Sequence, residues 1–202
     1  METVRAYIAC LLDLNATRRA ADIAKSLRRN AKAKGWEVAF VPPPALHVTL
    51  RWLGDVDLGL VSPLVDALGA VAQAHPPFRA HVSGLVAGPD PAAPRQLALG
   101  FAHGAELLSA LAADLDARLD ALGLPPAPHA FRPQVTLARV LRAPTPLAEL
   151  APGGADAGPS AMHELVLYRC ESPRTDVEPV SLARFALCPQ PRGPSGAAEK
   201  RQ

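Results

Sequence analysis

Two stretches 87 residues apart nearly repeat one another: "PALHVTLRWLG" around His47 and "FRPQVTLARVL" around Gln134. Each follows a proline-containing loop and places a polar residue before Val-Thr-Leu. Each also alternates as a strand does, with successive side chains facing opposite sides. In the first stretch this alternation assigns Val48, Leu50 and Trp52 to a buried face and His47, Thr49 and Arg51 to the other. A spacing close to half of a 202-residue chain predicts two related lobes, each offering one such strand to a shared cleft.

The rest of the chain suits that plan. "VRAYIACLL" reads as a central strand, followed by a helix capped at Asn15 and carrying Ala20, Ile23, Ala24, Leu27 and Ala31 on one face. "WEVAF" is a short strand, and the strand that starts at His47 is expected to end at Gly54. Ser62 and Pro63 read as the N-cap and first residue of a helix whose Leu64, Val65, Leu68, Val71 and Ala72 are buried. Strands follow at 78–86 and 96–101, then a helix with Leu107, Leu108, Leu111, Leu115, Leu119 and Leu122. A Pro-, Gly- and Ala-rich loop runs to about residue 160, before strands in "MHELVLYRC" and "VEPVSLARFAL". Residues 1–188 are expected to form one bilobal domain, and 189–202 a disordered tail.

Composition narrows the function. With 49% hydrophobic and 20% charged residues the chain can bury a core without disulfides. No apolar run approaches the roughly 20 residues of a membrane-spanning helix, so no membrane partner is expected. The N-terminus lacks a basic leader and a small-residue cleavage site, which predicts a cytoplasmic location. The net charge of +2 matches the excess in the tail, where Arg192, Lys200 and Arg201 face Glu199. A near-neutral body disfavours duplex binding through a broad basic face, but a small anion or an RNA end needs only a few cations. Cys10, Cys170 and Cys188 are odd in number and widely spaced, and are expected to be buried free thiols. The six histidines show no grouping with Cys, Asp or Glu at metal-binding spacing, so neither metal nor cofactor is expected.

His47 and Thr49, two apart on a strand, share a face about 7 Å apart. Imidazole exchanges a proton near neutral pH, and a threonine hydroxyl holds a phosphate oxygen or orients a water. The arginines of "TRRAADIAKSLRRN" read as a solvated helix face, interrupted by Asp22. His81 and His163 read as half-buried strand residues, and His75 and His103 as solvated.

The ordered set "RAYIACLLD", "LHVTLRWLG", "FRPQVTLAR", "ELVLYRCESP" and "LARFAL" resembles the 2H phosphoesterase superfamily, and within it the RNA 2′,3′-cyclic phosphodiesterases, also called 2′-5′ RNA ligases. The resemblance covers nearly the whole chain to about residue 188. It implies an α+β bilobal fold of two antiparallel sheets flanked by helices around a central cleft. It also implies a metal-independent opening of terminal cyclic phosphate to a 2′-phosphate, with 2′-5′ ligation as a side activity. RNA 3′ ends or cyclic nucleotides are the implied ligands, and a monomer the expected state. Carried over residue by residue, His47 is the acid for the departing 3′ oxygen, and Thr49 and Thr136 are phosphate contacts. Arg139, of opposite strand parity to Thr136, contacts phosphate or RNA. Tyr168, Arg169 and Phe131 are candidates for lining the cleft.

Gln134 departs from that pattern, which places a second histidine there. A carboxamide can bind phosphate or align a water but does not titrate near neutral pH. Three readings follow: a slow phosphodiesterase relying on His47, an enzyme that borrows another base such as His129, or a protein that binds its ligand without turnover.

Overall fold

The computed structural model describes residues 2–90, 93–150, 154–170 and 179–188, so the expected tail lies outside the described residues. The elements are β1 (Thr3–Leu11), α1 (Leu14–Ala33), β2 (Glu37–Phe40), β3 (His47–Asp57), α2 (Val61–Ala74), β4 (Phe78–Gly88) and β5 (Gln96–His103). They continue with α3 (Ala105–Ala121), β6 (Val135–Arg142), α4 (Leu147–Leu150), β7 (Asp156–Met162), β8 (Glu164–Arg169) and β9 (Val180–Ala186).

The strands pair in the order β7-β4-β5-β6-β3-β1-β8-β9, with β2 also on β6. The fold is thus α+β and its pairs are antiparallel throughout. One lobe is β7-β4-β5-β6, the other β3-β1-β8-β9. They meet edge to edge through Val48 opposite Val135, and both valines are fully buried. One contiguous apolar cluster lies between the sheet and the helices, with Leu64, Leu68, Leu108, Leu111, Leu115 and Leu119 at its centre. Each such side chain contributes about 1.5–3 kcal/mol on leaving water. β1 is buried on both faces: Ala6, Ile8 and Cys10 join that cluster, while Tyr7 and Ala9 form a second, small cluster with Val166 and Tyr168.

Several boundaries differ from the expectation. α1 is capped by Asp13 and not Asn15, because Asp13 Oδ1 accepts from Ala16 N at 2.8 Å. Asp13 Oδ2 also accepts from Ala161 N at 2.8 Å, which ties the helix start to β7. α2 begins one residue before Ser62, after a short helical turn in which Asp57 accepts from Gly59 N. Pro63 then falls within the first turn, where a backbone N–H has no intrahelical partner to lose. β3 passes through Gly54, which takes φ +71°, and runs to Asp57. Residues 156–162 form an edge strand instead of a loop, which ends before His163.

Of the cysteines only Cys10 is buried; Cys170 is partly so and Cys188 is exposed. The arginines of α1 are exposed, as expected, and two of them also have protein partners. Arg28 lies 5.0 Å from the Phe40 ring centre, and Arg19 donates to the Ala157 and Pro159 carbonyls. His81 Nε2 lies 2.8 Å from Asp156, His75 Nε2 lies 3.2 Å from Asp114, and His163 is exposed. No helix among the described residues is long and apolar enough to cross a membrane.

Candidate active site

With Val48 opposite Val135 in antiparallel register, His47 falls beside Thr136 and Thr49 beside Gln134. Both strands carry an extra residue directly after the threonine. On β3, Thr49 pairs with Ala9 and Arg51 with Ile8, so Leu50 is bulged. On β6, Thr136 pairs with Ala98 and Ala138 with Leu97, so Leu137 is bulged. A bulge of one residue shifts the alternation to the other face. Leu50 and Arg51 therefore both turn to the core, as do Leu137 and Ala138, while Trp52 and Arg139 return to the side of the threonines.

Three expectations are corrected by this. Trp52 is not core: it is 47% exposed and stacks on Tyr7 at 5.3 Å between ring centres. Arg51 does not share the open face with His47; it is 6% exposed. Its guanidinium lies 3.1 Å from the Asp116 carboxylate of α3 and donates to the Pro125 carbonyl. The strand parity of Arg139, counted from Thr136, is likewise reversed by Leu137.

A cavity of about 790 Å³ opens on this face. Thr49 and Trp52 of β3, Gln134 and Thr136 at the start of β6, Gln96 of β5 and the loop 127–132 line it, with Arg51 and Asp116 at its wall. Thr49, Thr136 and Gln134 are thus brought together as expected, and Phe131 lines the same space. Arg139 lines a neighbouring cavity of about 760 Å³ with Arg95 and Arg142, and Gln96 borders both. Arg169 is not on either wall.

His47 stands beside the main cavity and not on its lining. Its ring stacks between aromatic neighbours, 5.2 Å from Tyr7 and 5.7 Å from Tyr168, and Nδ1 is sealed from solvent. Burial lowers its pKa to about 4, with the Ala45 backbone pulling the other way. The ring is therefore neutral at pH 7 in the ligand-free protein. Tyr7 is driven well above the ordinary tyrosine value by burial, and by Tyr168 and Cys170, so it stays a neutral stacking partner.

Sequence reasoning missed three residues of this site. Trp52 looks like a core aromatic until the bulge is known, and Tyr7 is buried yet stacks on the His47 ring. Arg132 is exposed and lines the cavity; its place two residues before Gln134 within the second motif was the available signal. Among the described residues no three His, Cys, Asp or Glu side chains converge as a metal site.

The paired Val-Thr-Leu strands facing one cavity are the arrangement that the resemblance to the 2H phosphoesterase superfamily implies. The family model described as "LigT like Phosphoesterase" matches residues 12–97, and the chain belongs to that LigT-like family. An RNA 2′,3′-cyclic phosphodiesterase of Aquifex aeolicus is 30% identical over 142 residues, 69% of this chain and 72% of that protein. One of Geobacillus stearothermophilus is 32% identical over 152 residues, 74% of this chain; the chain spans about half of that relative's length, 48%. Among solved structures, TT0787 of Thermus thermophilus superposes with a TM-score of 0.74 at 24% identity, covering 91% of this chain and 97% of that one. LigT of E. coli, solved in complex with 3′-AMP, gives 0.66 at 23% identity over 92% and 99%. Both carry the same fold.

Proposed function

We propose that this chain opens 2′,3′-cyclic phosphates at RNA 3′ ends and leaves a 2′-phosphate. The observation that supports this most is the Val48–Val135 pair, which sets the two motif strands side by side so that Thr49, Gln134 and Thr136 face one cavity. The names of the relatives agree with it. In this reading the phosphate lies against the two threonine hydroxyls, which donate to its non-bridging oxygens as charge builds there. Water attacks phosphorus, the bond from phosphorus to the 3′ oxygen breaks, and His47 gives that oxygen its proton. The negative phosphate beside the ring raises the depressed His47 pKa, because an adjacent anion favours imidazolium. Gln134 aligns the attacking water through its carboxamide. Trp52 offers an open aromatic face to a base, and Arg139 and Arg132 offer guanidinium groups to the strand that precedes the phosphate.

The same site run in reverse joins 2′-5′ ends as a minor activity. The domain of residues 1–188 acts as a monomer, for which light scattering of the purified chain is the check.

The test is hydrolysis of 2′,3′-cyclic AMP and of a short RNA with a cyclic end, by the parent, His47→Ala and Gln134→His, with the product monoester identified by phosphorus NMR. Turnover by the parent to a 2′-phosphate, lost in His47→Ala, supports the reading. No turnover by either the parent or Gln134→His removes it. A second reading, binding without turnover, is favoured by Gln134 itself; it predicts a parent that binds 2′-AMP but is inert, with activity appearing in Gln134→His.

A further inference from the structure

Resting on the phosphodiesterase reading, the question left by Gln134 is which group takes the proton of the attacking water. Four residues with ionisable side chains line the main cavity: Arg51, Asp116, His129 and Arg132. Arginine does not accept a proton in a protein. The Asp116 carboxylate is held 3.1 Å from the Arg51 guanidinium, and that ion pair is occupied in fixing the loop. His129 has an exposed imidazole and no hydrogen bond or ion pair among the described residues.

The loop that carries it is held at both ends. Arg51 donates to the Pro125 carbonyl at its start. Phe131 packs on the core two residues after His129, and β6 begins at Val135. The stretch 127–132 thus lies along the cavity wall as six consecutive lining residues, with His129 and Gln134 on the same space.

We infer that His129 is a catalytic residue of this chain, the general base that a second-motif histidine would otherwise be, with Gln134 holding the water between it and the phosphate. The water oxygen forms a bond to phosphorus as its proton passes to His129, the bond to the 3′ oxygen breaks, and that oxygen takes the proton of His47. Solvent then carries one proton from His129 back to His47, which resets the site.

The experiment measures kcat and KM on 2′,3′-cyclic AMP for the parent, His129→Ala and His129→Gln, each also in a Gln134→His background. His163→Ala, on an exposed residue outside both cavities, serves as the control. The expected result is a kcat loss of about a hundredfold in both His129 variants, in line with loss of a general base. KM and 2′-AMP affinity should stay within about threefold. Added imidazole should restore part of the His129→Ala rate, which a merely structural role for the loop would not allow. In the Gln134→His background the His129 loss should shrink to a few-fold, since the new ring takes over the proton.

A parent that turns over with His129→Ala retaining more than about a third of its kcat overturns the inference. So does a parent that is inert while Gln134→His is active, and in that case the phosphodiesterase site survives. If neither turns over, the phosphodiesterase reading falls, and this inference falls with it.

Discussion

Val48 and Val135 face each other across β3 and β6 as the backbone pair that joins the two lobes. Each directly precedes a threonine of the cavity wall, and both are wholly buried. The pair therefore sets the register of the site as well as the seam of the sheet. Val48→Ala and Val135→Ala should each lower stability by about 1–3 kcal/mol. As touching residues they should depart from additivity by about 0.5 kcal/mol or more in the double variant. Urea unfolding of the three variants is the measurement, and simple additivity would count against the seam.

Arg51 spends its buried charge on Asp116 and the Pro125 carbonyl. Arg51→Met keeps the stem but removes both contacts, and should cost about 1–3 kcal/mol, because Asp116 Oδ1, which is closed to solvent, loses the guanidinium that faces it. Hydrogen exchange should rise in residues 122–134 before it rises in β3, and kcat should fall with it. Unchanged exchange in that loop would show that Arg51 does not hold it.

His47 carries a pH signature. Its folded pKa of about 4 lies below the ordinary 6.5, so between those values the unfolded chain binds more protons than the native one. Stability then falls as pH falls through that window, by up to roughly 3 kcal/mol at its acid end. His47→Gln should lose this dependence, so that parent and variant differ little at pH 7.5 while the variant gains on the parent toward pH 4.5. Parallel urea midpoints across that range would contradict the depressed value.

The chain has two tryptophans. Trp36 is buried, with Nε1 donating to Thr145 Oγ1 at 2.9 Å, and Trp52 stands open at the cavity. Titration with 2′-AMP should change the tryptophan emission through Trp52. Trp52→Ala should weaken binding by about 1–3 kcal/mol, the usual worth of a base on an aromatic face. A full signal in Trp52→Phe would place the ligand elsewhere.

Gly104 opens α3 at φ +84°, and a Cβ there would lie 2.8 Å from the Ala80 Cβ. Gly104→Ala should cost about 1–3 kcal/mol from the strained backbone, with more from the clash, while activity per folded molecule is kept. A thermal melt alongside an activity assay separates the two.

Much of this molecule could be read before the structure. The apolar run of β1, the leucine stripe of α3 and the paired Val-Thr-Leu motifs carry their periodicity openly, and Thr49, Gln134 and Thr136 meet on one cavity. What could not be read is a backbone event with no residue signature. Leu50 and Leu137 are ordinary strand residues, yet each stands unopposed in the ladder, and every parity count that crosses them goes wrong. Trp52, Arg51 and Arg139 were all misplaced by that single step. β7 was hidden for another reason. "DAGPSAM" looks like a loop because it contains Gly158 and Pro159, but an edge strand pairs on one side only and tolerates a proline there.

The twin bulges also give the cleft a direction. They occur at matching places in two half-related strands, and each brings the third residue after its threonine back into view: an indole from β3, a guanidinium from β6. A frame built from two like halves would accept a guest equally well either way round. Here the aromatic plate stands on the main cavity and the cation on its neighbour, so the scaffold repeats its backbone device without repeating its chemistry.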